Sequence, residues 1–342
     1  MSTTTTFVAV GSTAEIPFPY VAGRTMNLKT PCGKDVQLTI TRVCSVTVSP
    51  VMEVQLRMPN GFRTAILKLF DRRFGEFRKQ HPYNQQAEAA WQDCVRSGLA
   101  KRLLENLRLD EYRVRNARFQ EDVDDTNEQE DGDEDEAEVD DVDNVDDLGE
   151  WEAIIYHTAQ KHYTNEVRAY GELKQLQGRC IPGFIESVIY SSSAAPADLP
   201  VDYFQVPGIL LECIHGFPLS ELTTNIPNQP FLWEKVVEGA IDVVREVNMM
   251  GVVHYDCQPR NMLVAEMGHG AFQSYLIDFA QCAFRADYKN TDNVDDEGGF
   301  AHIVHQADNH GGIAVLINQR VKKETSYTLH LKTLQEEYAQ VA

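Results

Sequence analysis

Three polar residues in the second half of the chain have the types and spacing for chemistry: Asp256, Asn261 and Asp278. An apolar run at 262–264 follows Asn261, and a second at 275–277 leads into Asp278. Each run is short enough to be a buried strand. The Glu-Met-Gly-His-Gly sequence at 266–270 supplies a hairpin turn between them. The spacing therefore brings two carboxylates and an amide to the ends of one strand pair. Those are the groups a magnesium–phosphate site needs: one acid to take a proton from the nucleophile, and the amide with the second acid to hold the metal.

The longer pattern, His254-x-Asp256-x-x-x-x-Asn261 followed seventeen residues later by Asp278-Phe279-Ala280, resembles the catalytic core of the protein-kinase-like fold. The resemblance implies an α+β, two-lobed chain with an antiparallel β N-lobe and a mainly α C-lobe. It implies ATP and Mg2+ as cofactors, Asp256 as the catalytic acid–base residue, and Asn261 and Asp278 as metal ligands. Ala280 stands where the family has glycine, and Tyr255 where it has the arginine that commonly receives an activation-loop phosphate. The pattern is most similar to divergent kinase-like proteins of the fungal type.

The elements that must position these groups follow from periodicity. Residues 36–43 and 51–58 read as strands, and Asn60-Gly61 supplies the positive φ angles of a tight hairpin into a third strand at 62–70. That strand carries Ala65-Ile66-Leu67-Lys68, similar to the family's Val-Ala-Ile-Lys. A lysine in an apolar strand needs an anion, because an unpaired buried ammonium is costly. The resemblance makes that anion the α and β phosphates of a nucleotide. The turn at 44–50 contains no glycine, so the hydroxyls of Ser45, Thr47 and Ser49 and backbone N–H groups are the donors it keeps for phosphate. Residues 84–109 read as one helix on their apolar stripe, weakened at Gly98, and residues 151–176 form a second long helix. Within it Glu166 lies on a mixed apolar face and is the partner expected for Lys68, with Glu172 facing differently. The 97 residues between Lys68 and Glu166 exceed any short connection, so the 84–109 helix and the acidic loop at 120–149 are an insertion.

Strands are expected at 181–191 and 208–211, and the second runs into Glu212 and Ile214. By position these resemble a hinge whose backbone bonds the adenine edge. A helix spans 228–250. After Ala280 the resemblance thins: 285–299 reads as polar and mobile, and no Ala-Pro-Glu follows. Asp308 is expected to begin a helix and anchor the catalytic loop, and 327–341 reads as a terminal helix. The division expected is an irregular lead-in at 1–35, an N-lobe at 36–212 and a shortened C-lobe at 213–342.

Charge bounds the partners. The net charge is −21, but residues 121–147 hold 17 Asp or Glu and no Lys or Arg, leaving 31 basic against 35 acidic residues elsewhere. A nearly balanced remainder argues against a nucleic-acid surface, and the acidic run suits a basic partner. No run approaches the ~20 apolar residues of a membrane span. Seven scattered cysteines without a signal-like start fit reduced thiols in the cytoplasm or nucleus. His302, His305 and His310 lack the ligand spacing of a zinc site. Three functions remain: a phosphotransferase of protein-kinase-like type acting on a hydroxyl acceptor, a small-molecule kinase of the aminoglycoside- or choline-kinase type, and a pseudokinase serving as a binding module. Gln258, where serine/threonine kinases carry lysine, keeps the second open. The glycine-free turn and Ala280 keep the third open.

Overall fold

The computed structural model describes residues 16–79, 82–120, 148–191, 196–291 and 293–332. The acidic run at 121–147 lies outside them, as do the first fifteen residues. Six antiparallel strands open the fold: β1 (Thr25–Lys29), β2 (Asp35–Val46), β3 (Pro50–Met58), β4 (Gly61–Leu69), β5 (Phe184–Ser191) and β6 (Gln205–Glu212). They close a barrel in the order β1-β2-β3-β4-β6-β5. The alternation that makes β3 a strand sends Met52, Val54 and Leu56 inward, against Leu38, Ile40 and Leu67. The end of β4 departs from alternation: Leu67, Lys68 and Leu69 are all buried.

The lead-in expected to be irregular contains β1. Only Met26 and Leu28 of its five residues face the core, too short a pattern to register as period two, yet the strand pairs with β2 along its length and meets β5 at Lys29 and Ile189. The single helix expected at 84–109 is two helices, α1 (Gln85–Arg96) and α2 (Leu99–Gln120). Gly98, at φ +76°, makes the break, since a left-handed residue ends a helix and glycine adopts it without strain. Asn84 starts α1 by accepting the Ala87 N–H at 2.9 Å. Trp91, Cys94, Val95 and Ala100 pack against Ala153 of α3 (Leu148–Glu172), so α1 and α2 brace the first half of that helix.

Buried charge joins these helices to the loop after β4. Glu152, fully buried on α3, accepts from Arg72 at 2.5 Å and from both Nη atoms of Arg78 at 2.7 Å. Arg72 also meets Glu88 of α1 at 2.5 Å and lies over the Trp91 ring at 5.0 Å.

The C-terminal half mixes helices with short strands. β7 (Phe217–Pro218), α4 (Leu222–Asn225) and α5 (Pro230–Met249) lead to β8 (Val252–His254), β9 (Met262–Gly268), β10 (Ala271–Leu276) and β11 (Cys282–Phe284), followed by α6 (Phe300–Ala307) and α7 (Asn309–Thr325). The strands form a β10-β9-β7 sheet and a β11-β8 pair. One core cluster includes Val237 and Ile241 of α5, Met262 of β9 and Ile313 of α7, and it extends to Ala169 and Tyr170 of α3.

In the stretch expected to be polar and mobile, the Lys289 N–H donates to the Gly298 carbonyl at 2.9 Å, and Lys289 pairs with Asp296 at 3.8 Å. Two C-terminal expectations are corrected. Asp308 does begin α7, but its carboxylate accepts the Gly311 N–H at 3.2 Å, an N-cap bond that turns it onto its own helix instead of the catalytic loop. Residues 327–331 are not helical. Glu234 of α5 accepts the Tyr327 hydroxyl and the His330 N–H, each at 2.9 Å, and Leu329 and Leu331 are buried. The remainder of the expected terminal helix lies outside the described residues.

Candidate active site

The site begins at the buried end of β4. Lys68 is 4% exposed, so its ammonium has lost nearly all water and must be answered by protein anions. Two answer it. Nζ donates to Glu166 Oε2 at 2.6 Å and to Asp278 Oδ1 at 2.7 Å. Burial alone would lower the Lys68 pKa; Asp278 and Glu166 outweigh it and hold the ammonium above its ordinary range. Gly208 of the neighbouring β6 makes the fit possible: a Cβ there would stand 2.7 Å from the Lys68 carbonyl oxygen.

The two carboxylates are not equivalent. Glu166 is wholly buried, and burial, aided by the nearby Asp278 charge and opposed by Lys68, pushes its pKa up to about 7. Asp278 feels burial in the same direction, but Lys68 overrides it and the net shift is downward. Its side chain keeps 30% exposure, so the carboxylate remains reachable. Asp278 sits at φ +68°, a left-handed conformation that a non-glycine residue adopts only when its surroundings hold it there. Those surroundings are visible: the Ile277 N–H donates to the Asn261 carbonyl at 2.9 Å, and fully buried Phe279 packs edge-on to Tyr170 and His254. Glu172, the alternative partner, is instead 4.0 Å from Arg168.

Across the β9–β10 hairpin lies the second cluster. Asn261 Nδ2 donates to Asp256 Oδ2 at 2.8 Å and to the Asp256 carbonyl at 2.9 Å, so its Oδ1 is the amide atom left to accept or ligate. His254, fully buried, accepts the Asp256 N–H at Nδ1 and donates from Nε2 to the Ile277 carbonyl, both at 3.1 Å. One nitrogen accepting and one donating is the neutral imidazole. Burial holds His254 in that state by lowering its pKa. The ring thereby joins the Asp256 loop to the backbone immediately before Asp278.

The outer residues are placed less simply. Ser45 is half-buried at the end of β2 opposite Val51, and Thr47 is exposed in the turn at 47–49. That turn has no glycine of its own, but the facing loop supplies one: Gly75, at φ +146°, would place a Cβ 2.7 Å from the Val48 carbonyl oxygen. Close approach has moved from the turn to its neighbour. At the expected hinge, the Glu212 N–H is taken by the Gly183 carbonyl at 2.8 Å, and its carboxylate accepts the Gly183 N–H at 2.9 Å. Glu212 therefore has no N–H to offer a ligand. Ile214, half-buried beyond β6, is followed by Gly216, where a Cβ would stand 2.4 Å from the Val264 carbonyl oxygen of β9.

Two residues near the site escaped the sequence reading. His162 lies four residues before Glu166 on α3, hence one turn away on the same face. Burial and the Lys68 charge push its pKa down to about 4, against Asp278. Its spacing from Glu166 was the available signal. Arg260 donates to Asp256 Oδ1 at 2.6 Å and also contacts Gln258. Here the signal was a basic residue four positions after Asp256, directly before Asn261.

Residues 229–296 match the family described as Lipopolysaccharide kinase (Kdo/WaaP). The matched stretch contains Asp256, Asn261 and Asp278 and ends before α6, and it leaves out Lys68 and Glu166. The match supports a kinase-like arrangement of this segment. None of the curated proteins matches. Among solved structures, a single-substitution variant of the PknI kinase domain from Mycobacterium tuberculosis is similar at 10% identity, with a TM-score of 0.32 over 72% of this chain. The chain spans 60% of the length of that structure.

Proposed function

We propose that this chain is an ATP- and magnesium-dependent phosphotransferase of the protein-kinase-like kind, moving the γ-phosphate of ATP to a hydroxyl acceptor. The observation that carries the reading is the Lys68 ammonium held between Glu166 and Asp278, at 2.6 and 2.7 Å. Three residues separated by 98 and 112 positions do not converge on one buried cation without a reason in the fold. The Kdo/WaaP match over the segment holding Asp256, Asn261 and Asp278 supports the same reading.

The donor set fits magnesium. Mg2+ takes oxygen ligands and is held by one or two carboxylates together with substrate phosphates and water, seldom by a closed protein cage. Asp278 and the Asn261 Oδ1 offer two such oxygens. No group of three or more His, Cys, Asp or Glu among the described residues could hold a metal by itself. When bound, the ion neutralises phosphate charge.

The protein's own residues divide the remaining work. Lys68 pairs with the α and β phosphates, and Glu166 keeps its ammonium aimed. Asp256 orients the acceptor hydroxyl and takes its proton as the oxygen–phosphorus bond forms. The bond from the γ-phosphorus to the β–γ bridging oxygen breaks, and ADP leaves. Ser45, Thr47 and the backbone of their turn cover the phosphates, and the backbone at Ile214 meets the adenine edge. The acceptor is a protein or a small molecule; Gln258 and Tyr255 favour neither outright.

A second reading, a nucleotide-binding module without transfer, is favoured by one observation: the β2–β3 turn lacks glycine and is seated on Gly75. Purified protein with labelled ATP, magnesium and generic acceptors separates the two, beside Asp256→Ala and Asp278→Ala. Transfer by the wild type that both variants lack supports the enzyme. Thermal stabilisation by ATP without transfer supports the module. No effect of nucleotide of either kind would overturn both.

A further inference from the structure

The helix that carries Glu166 is gripped on more than one side. Glu166 faces Lys68 of the barrel. Arg168, two residues on and so on nearly the opposite face, reaches the C-terminal half, where its Nη1 meets Asp287 Oδ2 at 2.6 Å. Its guanidinium also lies 4.0 Å from the centroid of the Phe284 ring, the geometry of a cation–π contact. Asn165 adds a third hold, donating to the Ala280 carbonyl at 3.3 Å. Phe284 belongs to β11, which pairs residue by residue with β8, and β8 runs into Asp256. A continuous path therefore leads from the Asp256 loop through β8, β11 and Arg168 to Glu166 and Lys68.

Arg168 is the joint of this path, and its acid is part of the chain. Where a helix of this kind is set by modification, a phosphate on the segment after the metal-binding aspartate supplies the anion. Here that segment already presents Asp287. Glu172, the other acid facing Arg168, lies farther off at 4.0 Å. We infer that Arg168 and Asp287 are a positioning pair that holds α3 engaged with Lys68 in the unmodified chain, so that the site is assembled without phosphorylation. The inference deepens the phosphotransferase reading and rests on it for its functional consequence.

The test compares wild type, phosphatase-treated wild type, Asp287→Asn, Asp287→Glu and Arg168→Gln, each confirmed folded by thermal melting. Two readouts are taken: affinity and KM for magnesium–ATP, and hydrogen exchange of the α3 amides without nucleotide. The expected result is that Asp287→Asn and Arg168→Gln weaken nucleotide binding roughly tenfold, equivalent to ~1.4 kcal/mol, and speed exchange around Glu166. Asp287→Glu restores both, and phosphatase treatment changes neither. A purely structural role would not give nucleotide weakening at an unchanged melting temperature with rescue by glutamate. Unchanged binding and exchange in Asp287→Asn, or loss of binding on phosphatase treatment, overturns the inference. If the wild type binds no nucleotide at all, the phosphotransferase reading falls, and exchange alone decides the pair: faster exchange in Asp287→Asn with recovery in Asp287→Glu sustains it, and no change overturns it.

Discussion

Asp278 stands in the left-handed backbone region and places Oδ1 2.7 Å from Nζ of Lys68, 210 residues earlier in the chain. The contact links the barrel to the C-terminal half through one charged atom. Removing that atom leaves two carboxylates facing each other in a nearly dry site. Lys68→Met is therefore expected to cost about 3 kcal/mol of stability, as breakage of buried ion pairs does, and to lower any phosphate transfer by ~100-fold or more. Urea unfolding and labelled-ATP assays read the two effects; a stable variant with full transfer contradicts the arrangement.

Glu166 provides a pH signature. Its folded pKa of about 7 is raised above the ordinary 4.5, chiefly by burial. The folded state therefore holds this proton more tightly than the unfolded state, and stability falls as pH rises from 4.5 towards 7. Asp278 has the opposite sign: its lowered pKa contributes stability that is present above 3.8 and lost only as pH falls below it. Glu166→Gln removes the first effect and leaves the second. Its stability profile should be flatter than that of the wild type between pH 4.5 and 7. A carboxyl resonance titrating near 7 should be present in the wild type and missing from the variant; parallel profiles would contradict the assignment.

The candidate cluster was legible because its polar residues interrupt apolar runs. Lys68 is a charge among the buried residues that end β4, and Glu166 is a buried acid on a mixed apolar helix face. The commitment of the Glu212 N–H to Gly183 was not legible, because it depends on a long-range contact between the start of β5 and the end of β6. Closure of the barrel was hidden for a related reason: β1 contributes two core side chains and gains its place from pairing with β2 rather than from its own pattern. His162 had the right spacing from Glu166, but spacing alone did not reveal its burial or that it feels the Lys68 charge.

Glu152 is the other place where buried charge should weigh on stability. It is completely buried and answers two arginines, so Glu152→Ala leaves Arg72 and Arg78 without their common acid. The expected loss is ~3–5 kcal/mol, measured by denaturant unfolding. A loss under ~1 kcal/mol would mean that the arginines find water or Glu88 instead.

Gly75 supports the β2–β3 turn from below. Gly75→Ala meets both a positive φ and a carbonyl oxygen 2.7 Å away, neither of which yields easily. The variant should lose ~1–3 kcal/mol and bind magnesium–ATP more weakly, while Gly98→Ala, strained only by its φ and with open space around it, should affect stability alone. Equal nucleotide affinity in the two variants would detach the turn from the phosphate site.

α3 runs 25 residues, about 37 Å of unbroken helix. Glu152 is near one end and Glu166 is about 21 Å further along it. The first half is clasped by α1, α2 and the arginines of the β4 loop, and the second half presents the site. A rod mounted in this way ties the placement of the carboxylate facing Lys68 to the seat that α1 and α2 form at its other half. The ends of α2 and α3 at Gln120 and Leu148 flank the acidic segment, at the clasped half of the rod.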